Sequence, residues 1–253
     1  MKNGIEILHS SLLLPYNEIC HGFSTRTGGV SIGKFESLNL GSTDGDSRKN
    51  IKENQGRFCR ALGFSTDKLV QPVQVHSNNV AVVSEPGIIL NTDALITNIE
   101  GIFLSVKTAD CAPVILFDPV RKVVGAIHAG WKGIVKNIIS KTINVMETIF
   151  NTKPYNILVA IGPAIHDCCY EVKSEVACEF DYSEVVERNG KLYLNSVLAI
   201  KNRLVKSGLL LDNINDIALC TSCNADKFFS YRRDKGQTGR LMTVIGLRKE
   251  KAV

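Results

Sequence analysis

Six short apolar segments follow one another closely between residues 73 and 128, and this series most constrains the fold. They are rich in β-branched residues and bounded by Gly, Pro, Asn or Asp, which is typical of strands. The predicted strands are Val73–His76, Val80–Ser84, Ala94–Thr97, Ile102–Lys107, Val114–Asp118 and Val123–His128. Because little sequence is left between them for helices, the series argues against a doubly wound parallel sheet and favours mixed or antiparallel sheets.

Three amphipathic segments predict helices beside these sheets. Ser47 is a suitable cap for the first, which carries Ile51, Phe58 and Leu62 on one face and stops at Gly63. The other helices are predicted at Gly133–Phe150 and Asn195–Ser207, and later strands at Ile157–Ile161, Leu192–Leu194, Ile217–Leu219 and Leu241–Ile245. No repeat or linker interrupts the chain, so residues 1–253 are predicted to form one α+β domain with mixed β-sheets packed between helices.

Composition and charge exclude several classes of protein. Hydrophobic residues make up 44% of the chain and charged residues 22%, the balance of a soluble globular protein. No apolar run approaches the roughly 20 residues of a membrane span, and Leu12–Leu14 is too short for a signal peptide. The net charge of +5 is scattered apart from Arg232–Arg233 and the C-terminal tail. We therefore expect a cytoplasmic protein that binds neither membranes nor nucleic acid.

Two of the five histidines and one cysteine stand at the ends of predicted strands. His76 and His128 each close an apolar segment, and Cys111 precedes one. Two imidazoles and one thiolate are the donors of a three-ligand zinc site with an open fourth position. Such a metal lowers the pKa of bound water to about 7 and polarises a substrate oxygen. Spacing alone nevertheless favours three unrelated residues, because no compact metal motif is present.

The same residues also allow chemistry without a metal. Cys111 is a candidate nucleophile and His128 its base, as in thiol hydrolases. The adjacent Asp110 would then orient an imidazole or carry a proton. Sequence spacing does not separate this hypothesis from the metal site.

Three further segments are candidate walls of a substrate site: residues 21–41, 161–172 and 228–240. In the first segment, Arg26, the paired Gly28 and Gly29, and the nearby Asn39 suit an anion-binding loop, although a plain tight turn explains them equally well. In the third segment, residues 228–240, aromatic side chains are able to stack on a purine. Arg233 and Arg240 are able to bind phosphate there. The alternative is a loop anchored in the core.

Eight cysteines in a chain without a signal peptide indicate thiols or metal ligands rather than disulfides. Cys168 and Cys169 follow His166 in a polar loop, where buried thiols are favoured over ligands. Cys220 and Cys223 form a Cys-x-x-Cys pair that lacks the second half of a zinc ribbon. No role is assigned to these four cysteines.

Taken together, the motifs resemble the YfiH family, whose members have long been labelled multicopper polyphenol oxidase or laccase-domain proteins. The motifs are His21-Gly-Phe-Ser-Thr-Arg-Thr-Gly-Gly, Ser37-Leu-Asn-Leu-Gly, Gln74-Val-His-Ser, Thr108-Ala-Asp-Cys, His128-Ala-Gly-Trp, Ile161-Gly-Pro and Tyr231-Arg-Arg-Asp followed by Thr238-Gly-Arg. They stand in family order and extend from about residue 21 to 246.

The resemblance implies a fold shared with the catalytic domain of cytotoxic necrotizing factor toxins. It implies zinc held by His76, Cys111 and His128, and phosphorolysis of adenosine, inosine and methylthioadenosine to the free base and a ribose 1-phosphate. Adenosine deamination is the companion activity, with Asp110 as a candidate proton relay. Phosphate would bind Arg26, the Gly28–Gly29 backbone and Arg233 or Arg240. Purine nucleosides and phosphate are the expected partners of a monomer or weak homodimer.

Three other functions stay open beside this one. A multicopper oxidase needs many imidazoles, often as His-x-His pairs, and five histidines without such a pair do not supply them. A single copper in place of zinc is still allowed by the order of metal affinities, so copper-dependent polyphenol oxidation is one alternative. A Cys–His hydrolase acting on cell-wall precursors is the second. A non-catalytic metal-binding or partner-binding protein, which would bind zinc tightly without turnover, is the third.

Overall fold

The computed structural model describes residues 4–41 and 45–249, which contain fifteen strands and five α-helices. The helices are α1 (Arg48–Leu62), α2 (Trp131–Val135), α3 (Ile138–Phe150), α4 (Ser174–Ala177) and α5 (Ser196–Lys206). The first nine strands are β1 (Ile7–Leu8), β2 (Ile19–Ser24), β3 (Leu69–Pro72), β4 (Val80–Val82), β5 (Gly87–Ile89), β6 (Ala94–Thr97), β7 (Phe103–Thr108), β8 (Ala112–Asp118) and β9 (Val123–Ala129). The remaining strands are β10 (Leu158–Ile161), β11 (Glu171–Val172), β12 (Val185–Arg188), β13 (Lys191–Leu194), β14 (Ile214–Asp216) and β15 (Leu241–Leu247).

Two six-stranded sheets form the centre of the molecule. Their strand orders are β1-β2-β15-β7-β3-β5 and β14-β10-β8-β9-β6-β4, and β11-β13-β12 form a small third sheet. The strand β3 pairs in parallel with β5 and β7, whereas β15 pairs antiparallel with β2 and β7. The prediction of an α+β fold with mixed sheets is therefore confirmed.

The two large sheets pack face to face, and helices cover their outer faces. Successive residues of one strand pack into different apolar layers. In β7, Leu104 packs between the two sheets and Phe103 packs toward α1. In β8, Phe117 packs between the sheets and Leu116 packs toward α3 and α5. Because both faces of the central strands are buried, these strands read as continuous apolar runs rather than as alternating ones. The prediction of sheets packed between helices is therefore confirmed.

Two predicted helices have nearly the predicted bounds, and the third differs. The Ser47 hydroxyl caps α1, and Gly63 ends it with φ 90°. The helix α5 begins after Asn195, whose side chain accepts the Leu198 N–H. The single helix predicted at 133–150 is wrong, because the backbone turns left-handed at Asn137 (φ 60°) and separates α2 from α3.

Two predicted strands are wrong, each because a buried or partly buried aspartate binds the backbone. The strand β3 ends at Pro72, and residues 75–77 instead donate their N–H groups to the Asp93 carboxylate. The strand predicted at 217–219 is β14 at 214–216, since Asp216 accepts the Ala218 N–H and closes a turn. In both places the side chain competes with the sheet for the same backbone groups.

The segment beginning at His21, which the sequence placed with the candidate site walls, starts inside the first large sheet. Residues 19–24 form the fully buried β2, so the loop that carries Arg26 starts only after Ser24. None of the helices in the described part of the chain has the length and apolarity to cross a membrane.

We predict that buried His21 makes the protein less stable below neutral pH. Burial, followed by the charge of His9, lowers the pKa of His21 to about 4, and its Nε2 accepts the Ser10 N–H at 3.0 Å. The unfolded chain, with a histidine pKa near 6.5, therefore binds more protons between pH 6.5 and 4. The contribution of neutral His21 to the free energy of unfolding is fully present above pH 6.5. About 3 kcal/mol of it is lost as the pH drops to 4.

The measurement is the free energy of unfolding between pH 4 and 7 for the wild type and His21→Gln. The glutamine amide retains an acceptor for Ser10 but does not titrate. The variant should show a shallower dependence on pH over this range, and equal slopes in the two proteins would contradict the prediction.

Candidate metal centre

The ends of three chain segments bring His76, Cys111 and His128 together. Pro113 pairs with His128 across β8 and β9, which brings Cys111 beside the end of β9. The loop after β3 supplies His76, whose Nε2 lies 4.0 Å from the Cys111 Sγ. One ligand atom from each of these residues lies within 4.8 Å of the others, and we call them the His–Cys–His group. The donor atoms thus converge as a single metal ion requires.

Asp93 fixes the orientation of this group, and sequence reasoning missed it. Its carboxylate is fully buried and accepts His128 Nδ1 at 2.8 Å. It also accepts the N–H groups of Val75, His76 and Ser77 and the Ser77 hydroxyl. The bond to Nδ1 leaves His128 Nε2 for a ligand on the Cys111 side. One carboxylate therefore sets the position of both histidines, and its only sequence signal is an acid directly before the strand β6.

The electrostatics of the group favour an anionic sulfur. Burial raises the pKa of the Cys111 thiol, but His128 and then His76 outweigh it, and the pKa lies below its usual value. Burial likewise raises the pKa of Asp93, but hydrogen bonds from His128 and Ser77 hold it well below its ordinary range. At neutral pH Cys111 is therefore able to act as a thiolate, the form that binds metals and attacks electrophiles.

Gly130 keeps the space beside the donor atoms open. A Cβ at this position would lie 3.0 Å from the Cys111 Sγ and 3.1 Å from His76 Cδ2. The glycine also forms the link between β9 and α2. The sequence His128-Ala-Gly-Trp131 therefore combines a ligand, a strand end and a residue small enough to leave room for an ion.

Asp110 lies beside the His–Cys–His group but is held by other partners. One carboxylate oxygen accepts the Thr221 hydroxyl at 2.6 Å, and the other accepts the Arg232 N–H at 2.6 Å. The side chain of the same Arg232 lies over Tyr170, with its guanidinium carbon 5.1 Å from the centre of the ring. Burial, followed by the charge of Cys111, raises the pKa of Tyr170. Asp110 thus ties two loops to the site, and its predicted role as a proton relay stays a prediction.

Among the three predicted phosphate-binding arginines, Arg240 is influenced by the charges of Cys111 and Asp110. Burial lowers its pKa, while the nearby Tyr231, Cys111 and Asp110 raise it. Asn39 accepts the Arg240 N–H at 2.9 Å. Asn39 therefore helps to position the chain at Arg240, and its predicted contact with phosphate or substrate stays a prediction.

All three guanidinium groups already donate to backbone carbonyls, and that of Arg240 donates to the carbonyls of Thr238 and Gly239. Arg233 forms five hydrogen bonds, to Asp234 and to the carbonyls of Thr221, Ser222 and Phe228, which matches its five N–H donors. Arg26 donates to the carbonyls of Glu36 and Ala225. Phosphate would have to displace existing partners of Arg233, and its binding at either residue stays a prediction.

The paired glycines are required by close packing of the chain. A Cβ at Gly29 would lie 2.0 Å from the Ser37 carbonyl oxygen, and one at Gly28 would lie 2.6 Å from the Gly4 oxygen. The Gly29 N–H already donates to the Ser37 hydroxyl at 3.0 Å. These contacts explain the two glycines without an anion, and their predicted contact with phosphate remains a prediction.

We predict that Gly29→Ala destabilises the protein by about 3 kcal/mol, because the backbone around Ser37 must move to admit the methyl group. Gly33→Ala is the matched control, since nothing lies within 4 Å of a Cβ there and only its φ of 60° is unfavourable. The control should lose about 1 kcal/mol. Chemical denaturation measures both, and equal losses would contradict the packing explanation.

Four cysteines form a second convergent group. Cys168, Cys169, Cys220 and Cys223 have their sulfurs within 4.8 Å of one another, and we call them the four-cysteine cluster. The chain has no second Cys-x-x-Cys pair, but the vicinal Cys168 and Cys169, from a loop about fifty residues earlier, lie beside the first one. The expectation that these two are buried thiols is wrong, because Cys168 is exposed and Cys169 is half-buried. A separation of that kind along the chain gives no local sequence signal.

Comparison with known proteins places these features in a wider group. A family model described as multi-copper polyphenol oxidoreductase laccase matches residues 20–248. The chain is 40% identical over 241 residues to a Deinococcus radiodurans protein named purine nucleoside phosphorylase, covering 93% of this chain and 92% of that protein. It is 34% identical over 261 residues to Mus musculus purine nucleoside phosphorylase LACC1, covering 98% of this chain but 60% of the mouse protein.

A solved structure agrees with these matches. The crystal structure of the hypothetical protein YfiH from Bacillus licheniformis superimposes with a TM-score of 0.91 and 30% sequence identity. The superposition covers 97% of both chains. The α+β architecture described above is therefore one that has been observed by crystallography.

Proposed function

This chain belongs to the YfiH family of laccase-domain proteins, and we propose on that basis that it is a zinc-dependent purine nucleoside phosphorylase. The observation that carries the proposal is the convergence of His76, Cys111 and His128 with a buried Asp93 behind them. Relatives named purine nucleoside phosphorylase support the choice of substrates. Adenosine, inosine and methylthioadenosine are the substrates we propose.

The donor set fits zinc. One thiolate and two imidazoles are ligands that this borderline ion prefers, and three protein ligands leave a position for substrate. When bound, zinc supplies Lewis-acid polarisation to the substrate. Asp93 holds His128 with its Nε2 available, and Gly130 leaves the space that the ion needs.

The reaction transfers a ribosyl group from a purine to phosphate. A phosphate oxygen forms a bond to the anomeric carbon while the glycosidic bond breaks. The electron pair of the glycosidic bond leaves with the purine base, which takes up a proton. Arg240 is the residue we assign to phosphate, since it carries a fixed positive charge near Cys111 and Asp110. Tyr170, which its raised pKa keeps protonated at neutral pH, is available to donate a hydrogen bond to the substrate.

We propose adenosine deamination as the companion activity of the same site. In that reaction water replaces the amino group of the purine and ammonia leaves. Asp110 is the carboxylate nearest to Cys111 along the chain and is the candidate to accept a proton. Its hydrogen bonds to Thr221 and Arg232 keep it in place for that role.

The test is the product formed from adenosine with and without phosphate. We expect adenine and ribose 1-phosphate only when phosphate is present, inosine whether or not it is present, and loss of all products after removal of metal by a chelator. Adenine release that does not depend on phosphate, or no product from any of the three nucleosides, would contradict the proposal. Zinc added back to the chelated protein should restore turnover.

A Cys–His hydrolase is the second candidate, because His128 lowers the pKa of Cys111 as in a thiolate–imidazolium pair. In that case iodoacetamide would abolish the activity and a chelator would not. The donor set does not support multicopper oxidation: within residues 4–41 and 45–249, His76 and His128 are the only histidines that join a group of three or more metal-ligating side chains. A single copper in place of zinc would leave the ligands unchanged.

A further inference from the structure

The four-cysteine cluster joins two loops that are far apart in the sequence. Cys168 and Cys169 lie between β10 and β11, and Cys220 and Cys223 lie between β14 and β15. The Cys223 Sγ is 3.5 Å from that of Cys168 and 3.3 Å from that of Cys169. All four side chains carry free thiols. None of them belongs to the His–Cys–His group or has a part in the function proposed above.

These separations match four thiolates around one ion. Sulfurs bound at about 2.3 Å to a tetrahedral ion lie roughly 3.8 Å from one another. The sulfur–sulfur distances of 3.3 and 3.5 Å are slightly shorter than that value, and every sulfur lies within 4.8 Å of the others. A disulfide would need a sulfur–sulfur distance of about 2.05 Å, which is much shorter. The cysteine sulfurs around an iron–sulfur cluster with several irons lie farther apart than those observed here.

The backbone holds the two loops in place independently of the sulfurs. Ala164 and Cys220 form an isolated β-bridge. The Ala164 N–H donates to the Leu219 carbonyl, and the Thr221 N–H donates to the Ala164 carbonyl. Cys169 is further fixed by its N–H bond to the His166 carbonyl. The sulfurs therefore converge because the loops are already paired, as in a site prepared for a ligand.

We propose that the four-cysteine cluster binds a second metal ion, zinc, in a structural site. Four thiolates leave no open position, which distinguishes a structural zinc site from a catalytic one. Each thiol gives up its proton to solvent when the metal binds. Soft sulfur ligands in tetrahedral arrangement select zinc among the common divalent ions.

The four-cysteine cluster lies next to residues that form the wall of the active site. Tyr170 follows Cys169 directly, and Thr221, which holds Asp110, follows Cys220. One ion between the two loops would fix both residues relative to the His–Cys–His group. The ion would therefore stabilise the wall of the active site without touching the substrate.

The test is the zinc content of protein purified without added metal. We expect two ions per chain in the wild type, one in Cys168→Ser/Cys223→Ser, and one in His76→Asn. Both Cys168 and Cys223 are exposed, so their replacement leaves no cavity in the core. Cys178→Ser is the matched control, because this exposed cysteine lies outside both groups and should keep two ions.

Cobalt(II) substitution identifies the ligands directly and does not depend on activity. The wild type should show strong sulfur-to-cobalt charge-transfer bands, and the double variant should lose most of their intensity, because one thiolate remains in the His–Cys–His group. Equal zinc content and equal cobalt spectra in the wild type and the double variant would overturn the proposal. A mass two hydrogens lower, indicating a disulfide within the four-cysteine cluster of native protein, would also overturn it.

Discussion

Replacing His76 with asparagine is expected to remove the ion from the His–Cys–His group and to lower kcat/KM for adenosine phosphorolysis about 1,000-fold, or about 4 kcal/mol. The variant loses one of three ligands but should keep its fold. His76 is exposed, and its left-handed backbone (φ 56°) is one that asparagine tolerates. Metal analysis, circular dichroism and the phosphate-dependent assay measure the three effects.

This substitution also separates the metal mechanism from the thiol mechanism. A Cys111–His128 pair acting as nucleophile and base needs no contribution from His76 as a ligand. Unchanged turnover in His76→Asn, together with unchanged zinc content, would therefore contradict the metal site. The matched control is His9→Asn, an exposed histidine outside both groups of ligands, which should retain metal and activity.

Asp93→Asn is expected to weaken zinc binding about 100-fold and to destabilise the protein by about 3 kcal/mol. The carboxylate is fully buried and accepts five hydrogen bonds, including His128 Nδ1–H. In either orientation of the asparagine amide, its NH2 group would replace one carboxylate oxygen and would face N–H or O–H donors, those of His128 or those of Ser77. The zinc dissociation constant, measured by competition with a chelator, and Tm report the two losses.

Asp118→Asn provides the control for the loss of a buried acid. Asp118 lies at the far end of β8, is also fully buried, and accepts the N–H groups of Val120 and Arg121. We expect it to leave zinc affinity unchanged. If Asp93→Asn lost stability but kept the zinc affinity of the wild type, Asp93 would have only a structural role and not the positioning role assigned here.

Much of the secondary structure could be predicted because its signals are local. Helix α1 carries its own cap at Ser47 and its own stop at Gly63, and β6 has the predicted bounds of Ala94–Thr97. The failures lie where a distant group intervenes. Residues 75–77 donate their N–H groups to the Asp93 carboxylate instead of joining a sheet. No pattern within that segment indicates a carboxylate some seventeen residues away.

The sequence by itself determined the α+β class, because apolar periodicity is a property of neighbouring residues. It also supplied His76, Cys111 and His128 as candidate ligands, but their spacing alone favoured three unrelated residues, and only the resemblance to the YfiH family implied a shared metal site. Only the tertiary structure decided that Asp93 orients His128, that Arg233 binds loop carbonyls, and that four cysteines meet across two loops. These contacts join residues brought together by sheet pairing and loop pairing. Their partners are set by the path of the folded backbone, which spacing along the chain does not specify.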